Sequence, residues 1–245
     1  MPVATERKLL TARLVESRAL SDRTRHLEFE VQDAGRFDFI AGQFISMKAA
    51  QGEREVTRAY SIASAPHGNN RFDLCLNRVE QGFFSNFLCD LEAGRGVRFH
   101  GPHGYFVLKN PVRDSILIAT GTGIAPIRGM LHWVFEETDN GARHGGREFW
   151  LVFGNRLPGD IYYHDEFTAL AARFPNFHYL PTLSRAGAEW TGLRGYVQEH
   201  VRGIAQGRTD MDAYICGMKE MVIANRTQLL DLGWDKKSVV FERFD

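Results

Sequence analysis

The sequence predicts two successive domains: an antiparallel β-barrel over residues 1–110, then an α/β domain with a doubly wound parallel sheet over 111–245. Three observations carry that expectation. The first half breaks into short apolar runs separated by frequent turns. The second half alternates strand-like and helix-like runs, the pattern of a parallel sheet. Between them, Lys109 to Asp114 is polar and contains a proline, as a link between domains should. The length of 245 residues suits two cores of about 100–150 residues each.

In the first half, Thr24 to Val31 sets Leu27, Phe29 and Val31 on one face. Phe44 and Ser46 open another strand after Gly42. Phe72 to Val79 sets Phe72, Leu74 and Leu76 against Asp73, Cys75 and Asn77. Val97 and Phe99 precede a turn at Gly101 to Gly104. Such runs fit a barrel or a sandwich. One helix interrupts them, with Phe84, Phe87, Leu88 and Leu91 at helical spacing and Gly94 as a stop.

Two stretches in this half carry chemistry. Arg58-Ala59-Tyr60-Ser61 joins a guanidinium, an aromatic ring and a hydroxyl. That set suits a ligand with a phosphate end and a flat ring; the plain alternative is a strand with a surface arginine. Gly82-Phe83-Phe84-Ser85 opens the helix, either as an anion seat or as a simple N-terminal turn.

In the second half, strands are expected at Ser115–Ala119, Glu148–Phe153, Phe177–Leu183, Ala213–Cys216 and Val239–Phe241. Helices are expected near Pro126–Glu137, Asp165–Phe174, Gly195–Val201 and Met218–Leu232. The stretch from Ser115 to Pro126 organises this half. Ile116 to Ala119 is apolar, Gly121 and Gly123 bracket Thr122, and a helical pattern follows. A strand, a glycine turn and a helix start can receive a pyrophosphate, or can be no more than a tight connection. Pro126 stands where the dinucleotide fingerprint has its third glycine, and no P-loop lysine follows.

Polar or glycine-containing groups end several strands: Gly121–Gly123, Gly154-Asn155-Arg156, Ser184-Arg185 and Cys216-Gly217. The carboxyl ends of strands line the ligand crevice of such sheets. Ser184 and Arg185 stand where an acidic residue would favour a ribose 2′-hydroxyl, so they suit a 2′-phosphate. Arg194 lies nearby and Tyr196 could stack on adenine; a solvated loop arginine is the alternative.

Lysine plus arginine equals aspartate plus glutamate, 30 against 30, so net charge points to neither nucleic acid nor a membrane surface. Cys75, Cys89 and Cys216 lie far apart, form no zinc spacing, and are too few for an iron–sulfur cluster. No metal site is expected, and a reducing cytoplasm is the expected compartment. Met1 to Leu14 lacks a signal-peptide apolar core, and no run approaches the ~20 apolar residues of a membrane span.

Taken together, these residues resemble the ferredoxin–NADP(H) reductase family of the plant-type superfamily. The resemblance runs from about Leu14 to the C-terminus. It rests on Arg58 to Ser61, Gly82 to Leu91, Gly101-Pro102-His103-Gly104, Thr120 to Pro126 and Tyr214-Ile215-Cys216-Gly217. It implies an FAD-binding barrel followed by an NADP-binding α/β domain. By the same resemblance, Tyr60 stacks on the isoalloxazine, Arg58 holds the pyrophosphate, and Ser61 lies beside the hydride-accepting nitrogen. Ala59 lies between them in the same motif. Gly82, Phe83, Phe84 and Ser85 match a second FAD phosphate contact, and Cys75, Leu76 and Asn77 a strand along the cofactor. Thr122 and Gly123 sit between the cofactors, and Arg156, Ser184, Arg185, Arg194 and Tyr196 on the NADP side. Cys216 and Gly217 lie near the nicotinamide, Glu242 matches the C-terminal glutamate of the site, and Phe244 the aromatic covering the flavin.

Two departures stand out. Asn77 replaces a basic residue common among relatives, and Phe244 is not a tyrosine, with Asp245 beyond it. The implied catalytic group is Ser61, Cys216 and Glu242, acting by alignment and charge stabilisation rather than covalently. The implied partner is a separate ferredoxin or flavodoxin, without a fused ferredoxin module, and the expected state is a monomer. Arg7, Lys8, Arg13, Arg18, Arg23 and Arg25 could steer such an acidic partner. Rival readings are the reductase component of an oxygenase, an NAD(P)H-flavin reductase and, from another class, a non-catalytic nucleotide-sensing subunit.

Overall fold

Alternation in the first half produces an antiparallel sheet that closes on itself. The computed structural model describes residues 9–135 and 145–244. Its first sheet contains β1 (Leu10–Ala19), β2 (Thr24–Val31), β3 (Phe44–Gln51), β4 (Arg54–Ser61), β5 (Arg71–Asn77) and β6 (Gly96–His103), with α1 (Phe83–Cys89) between the last two. The order is β4-β3-β6-β1-β2-β5, every ladder antiparallel. Just past β4, an Ile62–Leu74 bridge and a bond from Ala63 N to Asp73 O join the two end strands. That closure makes the sheet a barrel rather than a sandwich. The inward residues, among them Leu27, Phe29, Ile45, Met47, Phe72, Leu74 and Phe99, fill it.

The glycine–proline turn expected at Gly101 to Gly104 is instead the end of β6. His103 pairs with Phe44, and a register shift between Phe44 and Ser46 absorbs the extra residue. Proline fits within a strand at such irregularities, where no ladder donor is required.

The second sheet contains β7 (Ser115–Thr120), β8 (Phe149–Asn155), β9 (Phe177–Leu183), β10 (Leu193–Arg194), β11 (Asp212–Met218) and β12 (Val239–Phe244). Its order is β10-β9-β8-β7-β11-β12, all parallel. Helices α2 (Ile124–Phe135) and α3 (His164–Arg173) contribute to the core on one face. α4 (Val197–Ala205) and α5 (Lys219–Asp231) contribute to the core on the other. The chain moves outward from β7 in both directions, so the strand order reverses between β7 and β11. That reversal puts the crevice at their carboxyl ends.

The expected sheet of about five strands has a sixth, the two-residue β10, too short to leave a period. α2 starts two residues before Pro126, which therefore lies in the first turn, where a missing N–H costs nothing. Its expected end at Glu137 lies outside the described residues, as do Arg7, Lys8 and Asp245. The polar link is fastened to the second sheet. Lys109 N donates to the Tyr214 hydroxyl at 2.9 Å, and Lys109 Nζ pairs with buried Asp212 at 2.6 Å.

Candidate active site between the two domains

The crevice of the parallel sheet opens toward the end of β4. Ser61 terminates that strand, is 7% exposed, and donates its hydroxyl to Glu242 Oε1 at 2.9 Å. Glu242 on β12 is the register partner of fully buried Cys216 on β11. The three expected catalytic residues, distant in sequence, thus meet at one corner. Burial pushes the Glu242 carboxyl above its ordinary pKa, and the Ser61 bond only partly opposes this. Burial, reinforced by the Glu242 charge, drives the Cys216 thiol far up, so it is a neutral, unreactive sulfur.

The turn Gly121–Gly123 packs against this corner. A side chain at position 123 would collide with the Cys216 carbonyl, so only glycine allows the turn to lie on β11. Thr122 is partly exposed beside it. Thr120, which the sequence reading did not assign to the site, ends β7 with its Oγ1 buried and without a hydrogen-bond partner. An orphaned hydroxyl here is the group a nucleotide oxygen would satisfy. Its sequence signal was its place at the head of the Thr120 to Pro126 stretch, one residue before the glycine turn. A cavity of about 480 Å3 adjoins Glu242, lined by Phe44, Tyr105, Phe106, Val240 and Phe241 among others. Phe244 ends β12 opposite Met218 and is partly buried.

On the barrel side, Tyr60 is half-buried against Phe84, ring centroids 5.8 Å apart, and burial raises its phenol pKa. Arg58 and Ala59 are exposed, and among the described residues the Arg58 guanidinium bonds only to the Thr57 carbonyl, at 2.8 Å. A ring with one packed edge and an uncommitted cation two residues away match a flavin and its pyrophosphate. The residues therefore fit FAD.

Several expected ligand side chains are engaged elsewhere. Ser85 Oγ donates to Gly82 O and accepts from Val79 N, while Phe84 is buried in the barrel core. What Gly82 to Ser85 can offer an anion is backbone N–H rather than the hydroxyl. Leu76 fills the barrel. Cys75 lies in the core beneath α2 and α3, its thiol pushed up to about 12 by burial. Asn77 accepts a hydrogen bond from Thr24, whose hydroxyl oxygen in turn lies 2.8 Å from the Tyr162 hydroxyl of the other domain and accepts from it. The side chains of Cys75 and Leu76 thus serve packing, while Asn77 stays exposed with its Oδ1 at the domain contact.

At the far end of the crevice, Ser184 N donates to Asn155 O and Arg185 N to Arg156 O, each at 3.0 Å. These bonds continue the β8–β9 pairing and bring Arg156 and Arg185 side by side, both exposed. Gly217 follows Cys216 at the crevice, and Tyr196 is 67% exposed just before α4. The Arg194 guanidinium donates to the carbonyls of Ala186 at 3.2 Å, Gly187 at 2.8 Å and Trp190 at 2.6 Å while staying exposed. It clamps its own loop, and Arg156 is the cation brought beside Arg185.

A closed antiparallel barrel and a parallel sheet sharing one buried polar corner define a two-domain nucleotide oxidoreductase. Residues 11–108 match the oxidoreductase FAD-binding domain family, and 117–227 the oxidoreductase NAD-binding domain family. The chain is 42% identical to a ferredoxin–NADP reductase B of Sorangium cellulosum, over 96% of this chain and 97% of that one. It is 33% identical to the reductase component of a phenol 2-monooxygenase of Pseudomonas, covering 84% of this chain but 58% of the relative. Among solved structures, a cytochrome P450 reductase of Amycolatopsis superposes with a TM-score of 0.85 at 26% identity, over 97% of this chain and 70% of that one. The chain belongs to the ferredoxin–NADP reductase family, and it is a flavoprotein oxidoreductase of that class.

Proposed function

We propose that the chain is an FAD-dependent ferredoxin–NADP(H) reductase that exchanges hydride with NADP(H) and single electrons with a ferredoxin or flavodoxin. The observation that carries this reading is the 2.9 Å bond from Ser61 to Glu242, with Cys216 beside it. It joins the barrel to the nucleotide crevice where flavin and nicotinamide must meet. FAD, when bound, takes up electrons as a pair and releases them singly, which is what a pyridine nucleotide and a one-electron carrier require.

The chain's own groups supply the rest. Tyr60 gives a stacking face, Arg58 a phosphate partner, and Thr120 and Thr122 hydroxyls beside the nicotinamide turn. Ser61 directs a hydroxyl, and Glu242 holds or releases a proton at its Oε atoms. Cys216 and Phe244 keep water from the ring faces. Arg156, Ser184, Arg185 and Tyr196 receive the adenosine 2′-phosphate end. In this reading the domains divide at 110/111.

The 42% identity to the Sorangium ferredoxin–NADP reductase, against 33% to the oxygenase component, supports a ferredoxin-type partner. The reading extends to a monomer acting in the cytoplasm; no helix among the described residues is long and apolar enough to cross a membrane. Of the arginines proposed to steer the partner, Arg13 is already paired with Glu30 at 2.6 Å, leaving Arg18, Arg23 and Arg25 the main share. The association rate with ferredoxin should then fall with salt.

The test is to reconstitute with FAD, bleach the flavin with NADPH without oxygen, then add ferredoxin or excess free flavin. Rapid reoxidation by ferredoxin supports the reading, and reoxidation by free flavin alone favours a flavin reductase. A flavin that NADPH does not bleach removes the enzyme reading.

A further inference from the structure

A second polar cluster joins the domains away from the Ser61 corner, centred on Arg128 in α2. Arg128 is 9% exposed although it carries a charge. Its guanidinium forks onto Glu166 of α3, Nε to Oε1 at 2.8 Å and Nη2 to Oε2 at 3.0 Å. The remaining nitrogen, Nη1, crosses to the barrel, donating to Ala63 O at 2.8 Å and to Asp73 Oδ2 at 3.2 Å. The Tyr163 ring lies 4.7 Å from the guanidinium carbon, and its hydroxyl is 3.0 Å from His26 Nδ1. His132 adds a 2.6 Å contact to Glu166. Barrel groups and α/β groups are interleaved, with every nitrogen of the guanidinium engaged.

Where this cluster attaches matters more than its charge. Ala63 is two residues beyond Ser61 on the same extended segment. Arg128 belongs to the helix that begins directly after the Gly121–Gly123 turn. A guanidinium bound to Ala63 O therefore ties the flavin-side hydroxyl to the nicotinamide-side turn through two short, stiff stretches of backbone. The next residue confirms the close fit: a Cβ on Gly129 would stand 2.6 Å from Ser64 O, so α2 lies directly on the barrel backbone there. A bidentate fork fixed by Glu166 resists rotation, which a single point charge would not.

We propose that Arg128 is a positioning residue for hydride transfer, setting the register of the Ser61 segment against the nicotinamide turn through Ala63 O. The proposal rests on the hydride-transfer reading above. A displacement of about 1 Å between reacting groups can cost on the order of 100-fold in rate while leaving binding of each partner intact.

The test uses the FAD-loaded full chain carrying Arg128→Met. FAD content and NADP+ affinity should stay within about threefold of wild type. Flavin reduction by NADPH should slow by about 10- to 100-fold, and the long-wavelength absorbance of stacked flavin and nicotinamide should weaken. Arg128→Lys should recover only part of both, because it keeps the charge without the fork. Hydrogen exchange at 62–64 should quicken in the Met variant even without FAD.

Gly129→Ala gives an independent route should Arg128→Met not fold, since it lifts α2 from Ser64 while leaving the charges in place. It should slow reduction and weaken the same absorbance. Wild-type reduction rate and absorbance in Arg128→Met, or in Gly129→Ala if the first is insoluble, overturn the proposal. So does loss of cofactor affinity with an unchanged rate at saturation. A wild-type flavin that NADPH does not bleach is a different failure, that of the hydride-transfer reading itself.

Discussion

Glu166 and Glu242 are both carboxylates at the seam between the two domains, yet their surroundings push them in opposite directions. Burial alone would raise both. At Glu166 the bond from His132 and the charge and fork of Arg128 outweigh burial, and the carboxyl falls to about 2. At Glu242 burial prevails, opposed among the described residues by the Ser61 hydroxyl alone. The first carboxylate is a fully partnered fixture; the second is poised to gain or lose a proton within reach of a ligand. A partner count therefore separates the latch from the site. Environments that push two carboxyls apart mark different roles.

The largest effect should come from unpartnering the latch. Glu166→Gln strips the buried Arg128 charge of its bidentate carboxylate and leaves it the single 3.2 Å carboxylate contact with Asp73, a loss of about 3 kcal/mol at neutral pH, read by urea unfolding. The folded pKa of Glu166 lies below its ordinary 4.5. The stabilisation is therefore present above pH 4.5 and is lost as pH falls through about 2. The difference between wild type and variant should shrink across that window. A difference that stays constant through it would mean that Glu166 acts by shape rather than charge.

The contrast between engaged and free groups also sorts the arginines of the crevice. The Arg194 side chain makes three bonds to its own loop, whereas no side-chain bond holds Arg185 among the described residues. Arg185→Ala should lower kcat/KM for NADPH by about 10- to 100-fold, or ~1.5–3 kcal/mol, with little change for NADH. Arg194→Ala should instead weaken both cofactors together by loosening Ala186 to Trp190. Arg58→Ala, removing a free cation on the barrel side, should lower FAD affinity by a similar ~1.5–3 kcal/mol in equilibrium titration. Equal losses with NADPH and NADH in Arg185→Ala would move Arg185 into the engaged class.

How much of this was legible in the sequence follows from how local each feature is. Phe177–Leu183 was bounded at both ends because turn-forming residues flank it, Pro175-Asn176 before and Ser184 after. The first strand, Leu10–Ala19, left no clean alternation because a bulge between Leu14 and Glu16 breaks its period. Ser61, Cys216 and Glu242 were singled out as one group through family motifs, but the bond between Ser61 and Glu242 left no local signal, since 181 residues separate the pair. Arg128 was missed although it left a trace: a charge among the buried residues Ile127, Met130 and Leu131. Nothing local revealed that its partners lie on β5, on α3 and beyond β4. The three carbonyl bonds of Arg194 were not legible for the same reason, because backbone carbonyls carry no sequence signature.

The smallest effect, and the one that tests the comparison most directly, is at Glu242. Its folded pKa is raised above the ordinary 4.5, so any stability it contributes is present below that value and is lost as pH rises through the folded pKa. Glu242→Gln removes the ionisation but keeps an amide oxygen to accept the Ser61 bond. Without FAD, the variant should match wild type in mildly acidic buffer and gain on it as pH rises, a small increase in Tm that grows toward neutrality. With FAD and NADPH, the same variant should slow flavin reduction and flatten its pH profile, because no proton is held or released at that corner. A variant that loses stability as pH rises would show the carboxylate to be held by partners after all. Glu242 would then be a second fixture like Glu166, and the distinction between latch and site would have to rest on geometry alone.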